Sequence, residues 1–240
     1  MEVQNKPLFF YMLERVRASR LIDDVIIATT INSEDDPLEE MMVNQSVKVF
    51  RGSVNNVLDR YYHAAIKFGA EHIMRLTADC PLIDPDYLDV LIEFYMSGHY
   101  DYACNFEPPT LPDGLDAEIF SFDILAEAHS KAILPSHLEH VTEYILQHPE
   151  HFKIGKWTNP DDYSYLRWTV DEPCDFEFVR KVFEALYNIK KIFRTKDILN
   201  LLKNYPEMIE INAHLKRNEG FLKSLAEDKE WLKNHGIDQD

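Results

Sequence analysis

One short pattern of residues, R-x-T-x-D-x-P, occurs twice in this chain. It reads RLTADCP at residues 75–81 and RWTVDEP at residues 167–173. Each copy continues a stretch that is predicted to be a strand, and proline, which cannot donate a hydrogen bond to a neighbouring strand, is predicted to end it. The pattern therefore places Asp79 and Asp171 at the carboxyl ends of two strands. In open α/β sheets this is the edge where ligands bind.

Two carboxylates at one sheet edge are suited to a hard divalent cation. Mg²⁺ takes one or two carboxylates together with water and phosphate oxygens. Such an ion would bring a nucleotide to the protein and offset the charge on a leaving pyrophosphate. The alternative is that Asp79 and Asp171 only cap the turns after their strands, because an acid before a proline is common turn chemistry. The sequence leaves both interpretations open.

The arginine of each copy shares a strand face with its aspartate in this prediction. An arginine in an apolar strand is costly to bury unless it is paired. Arg75 and Arg167 are therefore predicted either to form a salt bridge, with the neighbouring acid or elsewhere at the edge of the sheet, or to hold a carboxylate or phosphate of a ligand with two hydrogen bonds.

Several other side chains are candidate site residues. Thr29, Arg51 and Gly52 lie at the predicted ends of the first two strands, on the same edge. Asp113 and Gly114 form a turn signal between two strands, which first of all indicates a hairpin connection. His137 and His140 lie on a predicted helix without an H-E-x-x-H pattern, so zinc-protease chemistry is unsupported and a structural role is favoured.

Composition narrows the function. The chain has 240 residues and a formal net charge of −17, which opposes nonspecific nucleic-acid binding. No apolar run approaches the roughly 18 residues of a membrane helix, and the first residues do not form a signal peptide, so a cytoplasmic protein that contacts no membrane is predicted. The three cysteines are far apart and include no C-x-x-C pair, which favours buried thiols over a zinc site.

The order of the predicted elements indicates the fold class. Helices and strands alternate over the first 100 residues, which predicts an α/β fold with a doubly wound, mainly parallel sheet. The segments DYACNF, LDAEIFSF, HFKIGKWT and YSYLRWTV are predicted strands, and SHLEHVTEYILQHP is a predicted helix. Residues 104–126 are expected to form a hairpin-like excursion from the sheet that helps to bury a subunit interface.

Longer segments carry a family resemblance. The chain resembles the cytidylyltransferases of the spore coat polysaccharide biosynthesis type, which are relatives of the acylneuraminate and ketodeoxyoctonate cytidylyltransferases. The resemblance rests on VFRGSVNNVLDRYYHAA, RLTADCPLIDPD, LPDGLDAEIFSFDIL, LEHVTEYI, RWTVDEPCDFEFVRKVF and INAHLKRNEGFLKSLAEDK, which occur in this order over nearly the whole chain.

The resemblance implies a nucleotidyltransferase fold of the nucleotide-diphospho-sugar transferase type in residues 1–194, followed by a helical extension in residues 195–240. It implies a homodimer that uses Mg²⁺ and CTP to convert an acidic sugar to its CMP derivative for polysaccharide or glycan biosynthesis, with release of pyrophosphate. The metal is expected on Asp79 and Asp171, with Arg75 as a further catalytic residue. The residues expected near the nucleotide are Thr29, Arg51, Gly52, Asp59, Arg60 and Thr77. Those expected near the sugar are Asn105, Asp113, Gly114, Glu118, His140 and Arg167.

The chain departs from the family pattern in two places. Thr77 replaces a glutamine of the ketodeoxyoctonate enzymes, so their sugar specificity is not carried over. The family's first strand and its glycine-rich loop, A-R-x-G-S-x-R-x-P-G-K, have no counterpart in the sequence, and the domain is expected to lack its central strand. The alternative function is therefore a catalytically silent module of the same fold that binds a nucleotide or a partner. A glycosyltransferase is disfavoured, because the acids of the predicted edge lack D-x-D spacing.

Overall fold

Helices and strands alternate through the first hundred residues, as the sequence predicts. The computed structural model describes residues 1–217 and 219–236, without the side chains of 219, 220, 222 and 223. Up to residue 98 the elements are β1 (Glu2–Val3), β2 (Lys6–Pro7), α1 (Leu8–Val16), β3 (Ile26–Thr30), a 3₁₀ turn (Ser33–Asp35), α2 (Asp36–Asn44), β4 (Lys48–Gly52), α3 (Val57–Phe68), β5 (His72–Arg75) and α4 (Pro85–Gly98).

The rest of the chain is mainly helical. Its elements are β6 (Tyr102–Cys104), β7 (Glu118–Ser121), α5 (Phe122–Lys131), α6 (Pro135–His140), α7 (Glu143–Leu146), β8 (Ile154–Lys156), α8 (Pro173–Leu186), α9 (Thr195–Asn204), a 3₁₀ segment (Pro206–Ile211) and α10 (Glu219–Asn234). The single helix predicted after residue 135 is two short ones, because Val141 between them has φ +63°, outside the helical region. No described helix is long and apolar enough to cross a membrane.

The strands form a mixed arrangement, and the α/β fold class is confirmed. β3 and β4 pair in parallel, with Ile26 opposite Lys48 and Thr30 opposite Gly52. A second sheet has the order β5-β7-β6-β8, in which β7 runs antiparallel to both of its neighbours and β8 runs parallel to β6. The segment predicted as an excursion from the sheet begins at the last residue of β6, returns to the sheet as β7 and ends in α5, and β6 and β7 are adjacent antiparallel strands. Its part in a subunit interface stays a prediction.

The two sheets are not joined by hydrogen bonds. Within the described residues, β3 pairs only with β4, and β5 pairs only with β7. Every residue of β6 is buried, whereas most of β3 and β5 is only partly buried. β3 and β5 thus each have one unpaired edge within these residues, and the absence of a central strand from the domain stays a prediction.

Of the two strands predicted for the repeated pattern, the first is shorter than predicted and the second is absent from the described residues. The first ends at Arg75, so Thr77 and Asp79 lie in the turn that follows and do not share a strand face with Arg75. The second does not form, and Arg167 makes only an isolated bridge with Asp113. The physical reason is that the backbone of residues 168–170 hydrogen-bonds to loops: Trp168 N donates to Asp113 O at 2.6 Å, and Val170 N donates to Asp79 O at 2.9 Å.

The largest apolar cluster packs beneath these loops. It joins the loop residues Leu115 and Trp168 to Phe178 and Phe183 of α8, and all four are almost fully buried. Residues of α9 and of the following 3₁₀ segment, including Ile198, Leu202 and Met208, belong to the same cluster. α9 and the 3₁₀ segment therefore pack on the core that carries the repeated pattern, while the domain boundary at residue 194 stays a prediction.

Candidate active site

The two copies of the repeated pattern meet in space. The carbonyl oxygen of Asp79 accepts hydrogen bonds from Val170 N at 2.9 Å and from Thr169 Oγ1 at 3.3 Å. The contact places the turn of Asp79 against the residues that precede Asp171. Burial, and after it the charge of Asp79, raises the pKa of the Asp171 carboxyl. The two acids therefore share one electrostatic environment, although the sequence separates them widely.

Arg167 is held by three carboxylates at this site. Its guanidinium donates to Asp113 Oδ2 at 2.9 Å, to Asp171 Oδ2 at 2.6 Å and to Asp175 Oδ1 at 3.0 Å. Burial would lower the pKa of Arg167, but these partners raise it above its ordinary value. Of the two interpretations of Arg167, the salt bridge with the neighbouring acid is the one that the structure shows. The sequence analysis missed Asp175, which lies in the first turn of α8, four residues after Asp171.

The Asp-Gly turn docks on the same segment. Gly114 has φ +104°, and a Cβ added there would lie 2.5 Å from Thr169 N and 2.6 Å from the carbonyl carbon of Trp168. The close approach of the two backbones requires glycine at this position. Burial raises the pKa of Asp113, and so does the charge of Asp79, while Arg217 and Arg167 oppose the increase. Asp113 and Gly114 thus belong to the group that includes Asp79, Asp171 and Arg167.

Arg217 is a second basic residue of the site that the sequence analysis missed. Its guanidinium forms a short hydrogen bond with Asp116, donates to Leu111 O at 3.2 Å and lies 3.9 Å from Asp113 Oδ1. Burial raises the pKa of Asp116 to about 6 despite this partner. The signal was present in INAHLKRNEG, which was recognised only as a family-like tail. Acidic residues outnumber Lys and Arg by 42 to 25 in this chain, so an arginine in that tail, Arg217, was a candidate partner for the acidic site.

Arg75 and Glu118 belong to a buried network on the neighbouring strands. They face each other across β5 and β7, and Arg75 Nη1 donates to Glu118 Oε1 at 2.6 Å. Tyr102 and Thr142 donate to the other oxygen of Glu118, each at 2.7 Å. Arg75 does not pair with its neighbouring acid, Asp79, because the strand ends before Asp79 and Glu118 lies directly opposite. Since β5 is an edge strand, the structure shows the other predicted arrangement, a salt bridge at the edge of the sheet. A catalytic role for Arg75 stays a prediction.

His140 lies beside that network and contacts α10. Its Nε2 lies 2.9 Å from Ser224 Oγ, and its ring packs edge-on against Phe221. Burial lowers the pKa of His140, and the positive charge of Arg75 adds to the effect. Asn105 is almost fully buried, and its side chain bonds to the backbone of Leu115 and Ala117, so it shapes the loop between β6 and β7. Sugar contacts by His140, Asn105 and Glu118 stay predictions.

The residues expected near the nucleotide lie mostly around β3 and β4. Thr29 donates to Asp35 at 2.8 Å, and Arg51 forms ion pairs with two acids of α2, Asp36 and Glu39. Arg60 donates to Ser53 O at 2.9 Å and packs on Gly52. The positive charge of Arg51 is therefore already offset by acids in this structure.

Two other nucleotide candidates lie elsewhere. Thr77 is exposed, in the turn before Asp79, and its hydroxyl lies 3.3 Å from Cys80 Sγ. Asp59 lies on α3, and its carboxylate contacts His63 and His129. Contacts of these candidates with a nucleotide stay predictions.

The donor set at Asp79 and Asp171 fits Mg²⁺. Carboxylate oxygens are hard ligands, and the Asp171 side chain is about half exposed, at 51%. Within the described part of the chain, three potential ligand atoms lie within 4.8 Å of one another at Asp59, His63 and His129, and this cluster does not include Asp79 or Asp171. Mg²⁺ needs only one or two carboxylates, because water and substrate phosphates complete its coordination. Asp79 and Asp171 meet this minimum number of carboxylates, and Mg²⁺ binding by them stays a prediction.

The fold and this acidic edge define a nucleotidyltransferase of the α/β type, and comparison with known proteins names the family. Residues 2–220 match the Cytidylyltransferase family. The chain belongs to this family, and it is a nucleotidyltransferase enzyme.

Individual proteins are also similar to this chain over most of its length. An uncharacterized protein of Methanocaldococcus jannaschii is 33% identical over 212 residues, which are 86% of this chain and 84% of that protein. Spore coat polysaccharide biosynthesis protein SpsF of Bacillus subtilis is 29% identical, over 82% of this chain and 83% of SpsF. The structure of a cytidylyltransferase from Leptospira borgpetersenii superimposes with a TM-score of 0.82 at 32% identity, covering 87% of this chain and 88% of that one.

Proposed function

We propose that this protein is a CTP-dependent cytidylyltransferase that converts an acidic sugar to its CMP derivative and releases pyrophosphate, for surface polysaccharide or glycan biosynthesis. The observation that carries the proposal is the contact between the two copies of the repeated pattern, in which the carbonyl oxygen of Asp79 accepts hydrogen bonds from the two residues before Asp171. The names of two relatives support the substrate class: SpsF, and a 3-deoxy-manno-octulosonate cytidylyltransferase of Geobacter sulfurreducens that is 31% identical over 38% of this chain and 36% of its own.

In the proposed reaction, a sugar hydroxyl attacks the α-phosphorus of CTP and pyrophosphate leaves. Mg²⁺ held by Asp79 and Asp171 would supply positive charge to the triphosphate. Arg167 fixes the carboxylates of Asp171 and Asp113, and Gly114 lets the loop that carries Asp113 approach the backbone at Thr169. Arg217 adds a second positive charge beside Asp113 and Asp116. Catalysis would rest on positioning and on charge neutralisation, without a covalent intermediate.

The proposal includes a homodimer in the cytoplasm, as the family resemblance implies. Sedimentation of the purified protein over a range of concentrations tests the dimer. A protein that stays monomeric at high concentration contradicts it, and with it the interface role of residues 104–126.

The test of activity is pyrophosphate release from CTP with a panel of acidic sugars and Mg²⁺. The proposal expects release that needs an acidic sugar, is faster with CTP than with ATP, GTP or UTP, and stops when EDTA removes the metal. Neutral sugars that lack the carboxylate serve as the matched control. Release that is equal with neutral sugars contradicts the substrate class, and preference for another nucleotide contradicts the CTP assignment.

One observation favours the second candidate, a nucleotide- or partner-binding module without turnover. β3 and β5 each have one unpaired edge in the described residues, and no strand pairing joins the β3-β4 pair to the sheet that contains β5. Calorimetric titration with CTP separates the two candidates. Binding of CTP without pyrophosphate release with any acidic sugar supports the module, whereas turnover excludes it.

A further inference from the structure

Three side chains with metal-binding atoms converge between α3 and α5, in a cluster separate from Asp79 and Asp171. Asp59 and His63 lie one helical turn apart on α3, and this spacing places them on the same face. His129 reaches them from α5. Asp59 Oδ1 lies 2.9 Å from His129 Nε2 and 3.3 Å from His63 Nε2, and the three ligand atoms all lie within 4.8 Å of one another.

The helices and a neighbouring ring hold these side chains in place. The imidazole of His129 stacks on the ring of Tyr62, with centroids 4.0 Å apart and planes at 9°. His63 meets the His129 ring edge-on, with centroids 5.9 Å apart. The backbone amide of Asp59 donates to the side chain of Asn56, which caps the start of α3. Two of the three residues thus have ring contacts and the third has a fixed backbone, so an ion would find a partly organised site.

The distances suit a tetrahedral ion. Zn²⁺ binds nitrogen and carboxylate oxygen at about 2.0–2.2 Å, which in a tetrahedron puts neighbouring donor atoms about 3.3 Å apart. The two distances from Asp59 Oδ1 are already near this value. To bind an ion, each imidazole would carry its ring hydrogen on Nδ1 and present the lone pair of Nε2.

The donor types select the class of metal. Two imidazoles and one carboxylate suit Zn²⁺ and its neighbours in the first transition row, whereas Mg²⁺ prefers oxygen ligands alone. The side chains of Asp59, His63 and His129 are 32%, 50% and 28% exposed, so water can reach the ion as a fourth ligand. The net charge of −17 also favours cations over anions near the surface.

We propose that Asp59, His63 and His129 bind one Zn²⁺-class transition-metal ion that links α3 to α5. The proposal does not rest on the cytidylyltransferase reaction, although Asp59 is also one of the residues that the family resemblance expects near the nucleotide. Without the ion, the two imidazoles would serve only as hydrogen-bond partners of Asp59, and that simpler arrangement is what the experiment must exclude.

Calorimetric titration of the metal-free protein with zinc chloride tests the site. One ion per chain is expected. Loss of an outer-shell partner lowers metal affinity by about 10–100-fold, so loss of a ligand in His63→Asn or His129→Asn should weaken Zn²⁺ binding by at least as much. His151→Asn is the matched control, because His151 is a more exposed imidazole that also lies 3.3 Å from a carboxylate, that of Glu150. Equal Zn²⁺ affinity of wild type, His63→Asn and His129→Asn overturns the proposal.

A second readout is the absorption spectrum of bound cobalt. Cobalt(II) added to the wild-type protein should give the visible absorption of a tetrahedral ion with nitrogen and oxygen ligands. The partly exposed Cys174 is the competing ligand to exclude. A strong thiolate-to-cobalt band that Cys174→Ser abolishes would assign the ion to the cysteine and overturn the proposal, as would the absence of any cobalt or zinc binding. Zinc should also raise the melting temperature of wild type and His151→Asn, but not of His63→Asn.

Discussion

The backbone amide of Val170 donates to the carbonyl oxygen of Asp79 at 2.9 Å, and together with the hydroxyl of Thr169 it joins the two copies of the repeated pattern. Asp171 follows Val170 directly, so the bond brings the backbone of the two acids close together. The bond joins two loops, which explains how residues so far apart in the chain reach one site without belonging to paired strands.

Replacing either acid should remove activity with little loss of stability. We expect Asp79→Asn and Asp171→Asn to lower kcat by about 10²–10³-fold, because each removes a charge that would hold Mg²⁺ at the triphosphate. Pyrophosphate release and thermal unfolding measure the two effects. Asp162→Asn, in an exposed loop, is the control. Retained activity together with a large drop in melting temperature would assign these acids to turn capping instead.

Removing Arg167 should destabilise the fold. Its guanidinium is only 10% exposed and offsets Asp113, Asp171 and Asp175. Arg167→Met leaves these carboxylates uncompensated, and breaking a buried ion pair from one side costs about 3–5 kcal/mol. Urea unfolding measures the loss. Arg180→Met is the matched control, because Arg180 pairs with Glu184 on the exposed surface, where such pairs contribute about 0–1 kcal/mol. Similar losses for both variants would contradict the prediction.

The sequence predicted the elements better than it predicted the site. Most helices and β3, β4, β6, β7 and β8 lie where periodicity placed them, because local patterning decides such elements. The strand before Asp171 was wrong because apolar alternation records burial, and residues 168–170 are buried against loops. Arg217 and Asp175 were missed because their roles depend on contacts made across the fold, which a local pattern does not contain.

Asp116 should make stability depend on pH. Burial raises its pKa to about 6 in the folded protein, above the ordinary value of 3.8. The folded state therefore binds more protons than the unfolded state between about pH 4 and 6, and the free energy of unfolding falls as pH rises through this window. Relative to the wild type, Asp116→Asn should gain stability over the same window and show no further change above pH 7. Urea unfolding of both proteins from pH 4 to 8 measures this difference, and a difference that stays constant with pH would contradict the assignment.

Gly114→Ala should be much more damaging than a glycine change in open space. Both Gly114 and Gly69 have positive φ, at +104° and +66°, but an added Cβ meets Thr169 N at 2.5 Å only at Gly114. Gly69→Ala should cost about 1–2 kcal/mol for its left-handed backbone alone. Gly114→Ala must also displace the backbone beside Arg167 and Asp171, so it should lose more stability and more kcat. Equal effects in unfolding and pyrophosphate-release assays would show that the close approach is unimportant.

The unpaired edges of β3 and β5 should be visible in hydrogen exchange. A backbone amide without a ladder partner exchanges through small local openings, whereas one in a buried, doubly paired strand needs larger unfolding. β6 and β7 each pair on both sides, and their residues are buried except at Ser121. We therefore expect amides of Ile26–Thr30 and His72–Arg75 to exchange at least about tenfold faster than those of Tyr102–Cys104, which corresponds to about 1.4 kcal/mol in opening free energy. Exchange resolved by residue in the purified protein measures this ratio.

CTP should slow exchange at β3 and β4 if Thr29, Arg51 and Gly52 contact the nucleotide, and it should leave β8 unchanged as the internal control. Equal protection of β3, β5 and β6 without ligand would mean that the edges are covered in solution, for example by a second copy of the chain.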